Sequence, residues 1–251
     1  MITNQIPENW KDLQDKVAEI LEQCGFNVEV EKKIKSVRGS VEIDVYAEEN
    51  IKKRTYSILC ECKHWKSNIP QNIIHGFRTI LSDLGANIGY IITTSDFQSG
   101  SVESVENTNI KLLTWTEFQN VFFESWYTKH FCYSIRQPSL IYYNYDIVDW
   151  FDDLNSEDRL KYFNIRNILN EIDEIQNLFP LPYTLDIEGI ENSYPVLPLE
   201  KNHIDLENYF GDLPKSIFKM TDYESFLKEF TEFRTKIVHE FIKLDEKYKS
   251  E

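Results

Sequence analysis

The sequence lacks a long apolar run, a dense set of cysteines and an excess of basic charge. No apolar stretch approaches the ~20 residues that a membrane-spanning helix needs, and Met1–Trp10 is polar without an apolar signal core. These absences predict a protein that neither spans a membrane nor is secreted. The four cysteines, at positions 24, 60, 62 and 132, follow neither a disulfide framework nor a zinc-ligand spacing. We therefore expect reduced thiols and a cytoplasmic location.

The net charge of −15 argues against a broad basic surface for nucleic acid. The charge is uneven, because residues 1–128 contain 13 basic and 18 acidic residues whereas residues 129–251 contain 14 and 24. Basic residues also cluster locally in the first half, which predicts a small basic groove. Its candidate contacts with nucleic acid are Lys32, Lys33, Arg38 and Lys66. The alternative interpretation is that these side chains are solvated loop charges.

Hydrophobic periodicity predicts alternating helices and strands along the first half. The first helix has apolar residues at helical spacing and ends at Gly25, which suits a left-handed stop. A charged hairpin loop is predicted over 48–54. The predicted order is α-β-β-β-α-β-α-β-α, with elements at 7–24, 26–30, 41–46, 55–63, 70–84, 88–93, 99–107, 110–114 and 116–129. Hairpins followed by crossovers predict an α/β fold in which helices flank a mixed sheet.

The second half has a different pattern. Helices are predicted over 156–179 and 222–248, and five of the eight prolines lie in the irregular stretch between them. We therefore predict two domains, a mixed α/β domain over 1–130 and a mainly helical domain over 131–251 that recognises a target or partner, or dimerises.

The last predicted helix carries an apolar stripe from Phe226 to Tyr248 with a rhythm close to a heptad. Such a face must be buried, against its own domain or against a second copy of the chain. We expect a homodimer, because closed twofold pairing is the commonest assembly. The simpler alternative is that the helix over 156–179 covers the stripe within one chain.

Asp44, Glu61 and Lys63 form the motif with the clearest chemical meaning. Glu61 and Lys63 are two residues apart on one predicted strand and so project from one face, and a short loop should pair that strand with the one carrying Asp44. Two carboxylates held this close ionise together only beside a cation, and Mg²⁺ accepts one or two carboxylates, a backbone carbonyl and water. A neighbouring lysine can position water and stabilise charge on a phosphate. The set suffices for metal-assisted hydrolysis of a phosphodiester.

An ordinary alternative exists for two of these residues. A glutamate and a lysine separated by one residue are common on exposed strands, where they pair with neighbours. The position of Asp44, on the preceding strand and after a first helix, favours the catalytic interpretation.

Four segments, RGSVEIDVYA, YSILCECKHW, GANIGYIITTSDFQSGS and IKLLTW, resemble the catalytic domain of Mrr-like restriction endonucleases, a branch of the PD-(D/E)xK nucleases. The resemblance covers about residues 7–120 and implies a restriction-endonuclease-like fold, a DNA substrate, a role in restriction or antiviral defence, and Mg²⁺, with Mn²⁺ as a substitute. In this resemblance Asp44 matches the first acid, Glu61 the second and Lys63 the lysine. The carbonyl of Cys62 is then a further metal ligand beside the two acids. A partner protein of a defence system is an open alternative.

The chain departs from the family pattern at two places. Ile43 stands where the name-giving proline precedes the first acid, a frequent replacement. Members often carry a metal-facing glutamate on the first helix, whereas the matching place here reads Leu13-Gln14-Asp15. Gln14 is a weak ligand, and whether Asp15 substitutes is open.

Residues near the motif have weaker indications. His64 and Trp65 follow the lysine and can either contact DNA or pack at the strand end. Thr93, Thr94 and Ser95 end a buried strand and can either contact phosphate or cap the next helix.

Three rival functions remain open on the sequence. Arg234 and His239, on the last helix, resemble the Arg-x-x-x-x-His motif of HEPN ribonucleases, in which histidine acts as acid or base and arginine holds phosphate. A Holliday-junction resolvase shares the acidic site, but its typically basic domain fits this acidic chain poorly. A non-catalytic module that binds nucleic acid or protein on a nuclease scaffold is the third, and the complete set of Asp44, Glu61 and Lys63 argues against it.

Overall fold

Helices and strands in the computed structural model follow the hydrophobic pattern of the chain. The structure describes residues 1–137, 148–181, 194–201 and 206–249. The chain divides into two compact units, one of Met1 and Thr3–His130 and the other of Ile2 and Phe131–Glu251. Within these described ranges, no helix combines the length and the apolar character needed to cross a membrane.

The first unit has the predicted order of helices and strands. Its elements are α1 (Trp10–Gln23), β1 (Asn27–Ser36), β2 (Gly39–Ile51), β3 (Arg54–Lys63), α2 (Gln71–Leu84), β4 (Ile88–Thr93), α3 (Ser99–Ser104), β5 (Ile110–Thr114) and α4 (Trp115–Trp126), followed by a π-helical turn, Tyr127–Phe131. The strands form one sheet in the order β1-β2-β3-β4-β5. The first three strands pair antiparallel, whereas β3–β4 and β4–β5 are parallel. The prediction of a mixed sheet flanked by helices is confirmed.

Helices cover both faces of this sheet. On one face, Leu59 and Ile91 pack in a buried cluster with Phe77 of α2. On the opposite face, Tyr90 makes an edge-to-face contact with Phe122 of α4, at 5.6 Å between ring centroids. Adjacent strand residues point to opposite faces, so β3 and β4 are enclosed on both sides.

Close approach between α2 and β4 requires a glycine. A Cβ atom at Gly89 would lie 2.5 Å from Cε1 of Phe77 and 3.1 Å from Cδ1 of Leu81. Phe77 and Leu81 are buried in the cluster, so they have little room to move. Gly89 therefore sets the distance between the helix and the strand that lies beside β3.

The predicted charged loop over 48–54 is wrong. Strands β2 and β3 continue to the pair Ile51↔Arg54, which leaves only Lys52 and Lys53 as the turn. Both turn residues have positive φ, 47° and 69°, the conformation of the two-residue turn that matches the twist of a hairpin. Asn-Gly is the usual sequence signal for that turn, and two lysines give no such signal.

The second unit is helical in its described parts. Its elements are α5 (Cys132–Ser134), a short 3-10 turn Phe151–Asp153, α6 (Ser156–Asn177), a second 3-10 turn Leu199–Lys201, α7 (Leu206–Tyr209), α8 (Lys215–Phe218) and α9 (Tyr223–Lys249). Parts of the stretch predicted to be irregular, 182–193 and 202–205, lie outside the described residues.

The apolar stripe of α9 is covered within the chain. Phe226, Phe230 and Phe241 are buried, and α9 packs along α6. This packing is the simpler of the two predicted alternatives. The homodimer therefore stays a prediction, and the stripe gives it no support.

Candidate active site

Asp44 lies on β2 at a point where the regular antiparallel pairing of this strand with both of its neighbours, β1 and β3, is interrupted. The β2–β3 ladder starts at Val45↔Cys60, and the Cys62 N–H donates to Asp44 Oδ2 at 2.7 Å. On the other side, the β1–β2 pairs Val30↔Val45 and Lys32↔Ile43 leave Glu31 outside the ladder, with a left-handed φ of 53°. This conformation is uncommon for a residue other than glycine, and such strain is frequent at functional sites. The hydrogen bond from Cys62 holds the Asp44 carboxylate against the backbone of β3.

Glu61 and Lys63 lie beside Asp44, as the strand periodicity predicts. Lys63 Nζ forms an ion pair with Glu61 Oε1 and lies 4.0 Å from Asp44 Oδ2. The side chains of Asp44, Glu61 and Lys63 are 24%, 21% and 18% exposed. Burial and the negative charge of Asp44 raise the pKa of the Glu61 carboxyl, while Lys63 opposes that rise. The two carboxylates thus share a half-buried site where a cation is favoured.

The donors at this site are those that a hard divalent cation takes. Among the described residues, no group of three or more His, Cys, Asp or Glu side chains is placed to hold a metal ion. A cation here would therefore rest on two carboxylates, the carbonyl of Cys62 and water, which is a donor set typical of Mg²⁺. The thiol of Cys62 is buried, and burial raises its pKa. Cys62 can thus contribute only through its backbone.

The first helix offers one more oxygen, from Gln14. Gln14 is buried, and its Oε1 accepts no hydrogen bond within the described residues. Helix α1 packs on β2 and β3, the strands that carry the site. Asp15 is exposed and pairs with Lys11 at 3.1 Å. Of these two neighbours, Gln14 is therefore the one that faces the interior, and a buried oxygen without a hydrogen-bond partner calls for an explanation.

Thr93 holds the backbone of Lys63, a role that the sequence did not indicate. The Thr93 hydroxyl donates to the Lys63 carbonyl at 2.9 Å, and the Thr94 N–H donates to the same oxygen at 3.3 Å. Thr93 is fully buried, so it is not placed for phosphate. It does not cap α3 either, since that helix has Gln98 at its N-cap. The parallel pairing Lys63↔Thr93 creates the contact, and no pattern in the sequence specifies that register.

Three of the four basic residues predicted to contact nucleic acid already pair with acidic side chains. Lys32 Nζ lies 2.6 Å from Glu29 Oε1 and 3.5 Å from the ring centroid of Tyr46. Lys33 pairs with Glu42 at 3.4 Å, and Arg38 pairs with Asp83 at 3.1 Å. Lys66 is exposed and has no ion pair within the described residues. The four lie on edge strand β1, the turn after it and the loop after β3, so no single element presents them together.

Arg234 and His239 do not form a site. Arg234 is fully buried and donates from Nη1 to the carbonyl of Ile135 and from Nη2 to that of Ser134, the latter at 3.2 Å. Burial lowers the pKa of Arg234 to about 10. His239 is exposed on another side of the helix. The arginine is therefore occupied by the end of α5, and the HEPN interpretation loses its phosphate-binding residue.

Among the comparisons with known proteins, one family model matches most of the first unit. Residues 8–122 match the model of the Mrr catalytic-domain family, described as restriction endonuclease. The matched segment includes all of β1 to β5 and ends within α4. No curated protein matches the chain.

Among solved structures, the chain is similar to one described as a protein of unknown function, AF1548. The two are 19% identical over 67% of this chain and 79% of the other, with a TM-score of 0.39.

Proposed function

We propose that the protein is a metal-dependent endonuclease that hydrolyses phosphodiester bonds of DNA, because residues 8–122 match the model of the Mrr catalytic-domain family, described as restriction endonuclease. The observation that carries the proposal is the meeting of Asp44, Glu61 and Lys63 across the β2–β3 pair. Mg²⁺ is the proposed ion, with Mn²⁺ as a substitute, because the available donors are hard oxygens.

Each residue has a defined role in this proposal. Asp44 and Glu61 hold the cation, and the carbonyl of Cys62 adds a third oxygen. When bound, the cation supplies Lewis-acid polarisation of a phosphate oxygen and makes water a better nucleophile. Lys63 positions the water and stabilises negative charge that develops on the phosphate.

The chemical step is a hydrolysis that consumes only water. The water loses a proton as its oxygen forms a bond to phosphorus, the bond from phosphorus to the leaving sugar oxygen breaks, and that oxygen takes up a proton, which leaves a phosphomonoester and a free hydroxyl. Thr93 supports the step indirectly, because its hydroxyl fixes the carbonyl of Lys63 and thereby the start of the lysine side chain. Gln14, with its buried oxygen, is the residue of α1 suited to hold the cation or a water beside it.

The biological role that we propose is restriction or defence against foreign DNA, which is the activity expected of the family. All four cysteines are free and buried, as suits the reducing cytoplasm that we propose as the location. The second unit is proposed to recognise a target or a partner protein of the defence system. One such centre cuts one strand, so double-strand cleavage would require a second centre, supplied by a homodimer or by two binding events.

Incubation of the purified chain with plasmid, with modified phage DNA and with RNA tests the proposal. Each substrate is incubated in Mg²⁺, in Mn²⁺ and in excess chelator. We expect cleavage of at least one DNA substrate in Mg²⁺ or Mn²⁺ and none in chelator, because the proposed donors bind hard cations. Calcium should bind without supporting turnover.

Two outcomes would contradict the proposal. Cutting that continues undiminished in chelator rules out the metal mechanism. Cleavage of RNA alone would show that the substrate is RNA rather than DNA.

Sedimentation of the same preparation, with and without DNA, reports whether a homodimer forms. If the protein is a monomer throughout, we expect it to nick single strands.

A further inference from the structure

The five tryptophans of the chain fall into two groups. Trp115, Trp126 and Trp150 are buried, and each indole N–H donates a hydrogen bond. Trp10 and Trp65 are 55% and 40% exposed. Neither of these two indoles has a hydrogen bond or a ring contact within the described part of the chain. A partly exposed indole whose N–H has no hydrogen-bond partner within the described residues is a candidate contact for another molecule, because its ring is apolar and its N–H can still donate.

The exposed ring of Trp65 lies on a segment whose backbone is held at both ends. Before it, the Lys63 carbonyl accepts from Thr93, and Nε2 of His64 lies 3.0 Å from the carbonyl of Pro7. After it, the Ser67 carbonyl accepts from Ser95 Oγ at 3.0 Å, and the next strand-like bridge pairs Ile69 with Phe97. The segment is therefore pre-organised, and Trp65 is exposed because the fold presents it.

The second exposed indole, Trp10, lies close in sequence to Pro7, whose carbonyl is the partner of His64. Pro7 precedes α1, and Trp10 is the first residue of that helix. The contact between His64 and the Pro7 carbonyl thus joins the two segments that carry the exposed indoles. Both segments adjoin the strand end at Lys63.

Positive charge accompanies the ring at this point. Lys66 follows Trp65, is exposed, and has no ion pair among the described residues. Lys32, Lys33 and Arg38 are each paired with an acid. The chain has a net charge of −15, but here Lys66 adjoins the exposed indole of Trp65 and lies close in sequence to Lys63. A nucleotide offers a phosphate for the lysine and an aromatic base for the indole, so the pair is chemically complementary to a nucleotide.

We propose that Trp65 and Lys66 form a nucleotide-binding rim, in which the indole stacks on an unpaired base beside the scissile phosphate and Lys66 contacts a flanking phosphate. Inside an undistorted duplex both faces of every base are covered, so an indole stacks most readily on a base that is already unpaired at a gap, at a bulge or in a single strand. The substrate class is therefore DNA with unpaired nucleotides next to the cut. This proposal rests on the proposed nuclease function.

Binding in chelator tests the rim without any cleavage. The full chain is titrated into three labelled DNAs: a single strand, a blunt duplex, and the same duplex with a central gap. We expect the wild type to bind the single strand and the gapped duplex more tightly than the blunt duplex. Trp65→Ala should weaken binding of the two unpaired DNAs about tenfold, the size expected for loss of one stacked base, and should leave the blunt duplex unchanged.

Conservative variants separate stacking from packing. Trp65→Phe keeps an aromatic face and should retain most of the affinity, whereas Trp65→Leu keeps only apolar bulk and should bind like Trp65→Ala. Lys66→Ala should weaken all three DNAs and reduce the salt dependence of binding by about one charge. Tyr56→Ala is the matched control, because Tyr56 is also 40% exposed and lies near the opposite end of β3. It should bind as the wild type does.

Several results would contradict the proposal that Trp65 and Lys66 form a nucleotide-binding rim. They are wild-type affinity in Trp65→Ala, equal rescue by Leu and Phe, an equal loss for duplex and unpaired DNA, or no binding of any oligonucleotide by the wild type. If Trp65→Ala fails to fold, the comparison of Trp65→Phe with Trp65→Leu still tests whether the indole stacks on a base.

Cleavage in Mg²⁺ is measured in parallel. If the wild type cuts but the variants bind normally, only the rim is wrong; if the binding pattern holds without any cleavage, only the nuclease proposal is wrong.

Discussion

Each unit of the protein contains a basic side chain that is partly or fully buried, Lys63 in the first and Arg234 in the second. The two side chains have different kinds of partner. Lys63 of the first unit faces two carboxylates, Glu61 and Asp44, on a sheet whose ladders are irregular at that point. Arg234 of the second unit faces two backbone carbonyls at the end of a short helix. The carbonyls need a donor whatever the protein does. Two adjacent carboxylates, in contrast, repel each other, and the charge of Asp44 contributes to the raised pKa of Glu61. This contrast is why we propose the functional site at Asp44, Glu61 and Lys63 rather than at Arg234.

The largest expected effect follows from removing any member of the charged group in the first unit. Asp44→Ala, Glu61→Ala and Lys63→Ala should each reduce cleavage by about a thousandfold or more, because charge stabilisation of this kind is worth about 10²–10³ per donor and loss of a carboxylate also loses the cation. Circular dichroism should show an unchanged fold, since none of the three residues belongs to the buried apolar cluster of the sheet. Near-normal cleavage by all three variants, together with an inactive Arg234→Ala, would place the active centre in the second unit.

An intermediate effect, on stability rather than catalysis, is expected at Arg234. Arg234→Met keeps the apolar volume but leaves the carbonyls of Ser134 and Ile135 without their donor, which should lower the free energy of unfolding by about 2–3 kcal/mol. Hydrogen exchange should show lost protection in α9. Cleavage per folded molecule should be unchanged, and His239→Ala, at an exposed position of the same helix, should alter neither quantity. A loss of cleavage in folded Arg234→Met would erase the contrast between the two units.

A smaller effect is expected at Gly89, which lies in the first unit but outside the charged group. Gly89→Ala places a methyl group against Phe77 and Leu81, and overpacking of this kind costs about 1–3 kcal/mol. Denaturant unfolding measures that loss, and hydrogen exchange should localise it to α2 and β4. Cleavage by the folded fraction should persist with the same metal requirement. An unchanged stability would mean that the approach of α2 to β4 is looser than the distances indicate.

The sequence predicted most of the first unit because its helices and strands bury alternating faces. The element order and the position of Glu61 and Lys63 on one face both follow from periodicity. The neighbourhood of Asp44 follows from the short connection that pairs its strand with β3. The two-residue turn at Lys52 and Lys53 was missed, since lysine rarely signals a left-handed turn.

Contacts that depend on long-range register were not predictable. The hydroxyl of Thr93 reaches Lys63 only because β3 and β4 pair in parallel with those two residues opposite each other. Arg234 was interpreted from its spacing to His239, but its burial depends on where α5 ends relative to α9. Spacing along one helix carries no information about which backbone groups of another segment need a donor.

A calorimetric titration with Mg²⁺ and Mn²⁺ tests the central claim most directly, because it asks whether Asp44 and Glu61 hold a cation independently of any substrate. We expect a saturable binding event in the wild type that is retained in Arg234→Met and lost in Asp44→Ala and in Glu61→Ala. The absence of binding to the folded wild type, or undiminished binding to both carboxylate variants, would contradict it and would leave a non-catalytic module on a nuclease scaffold.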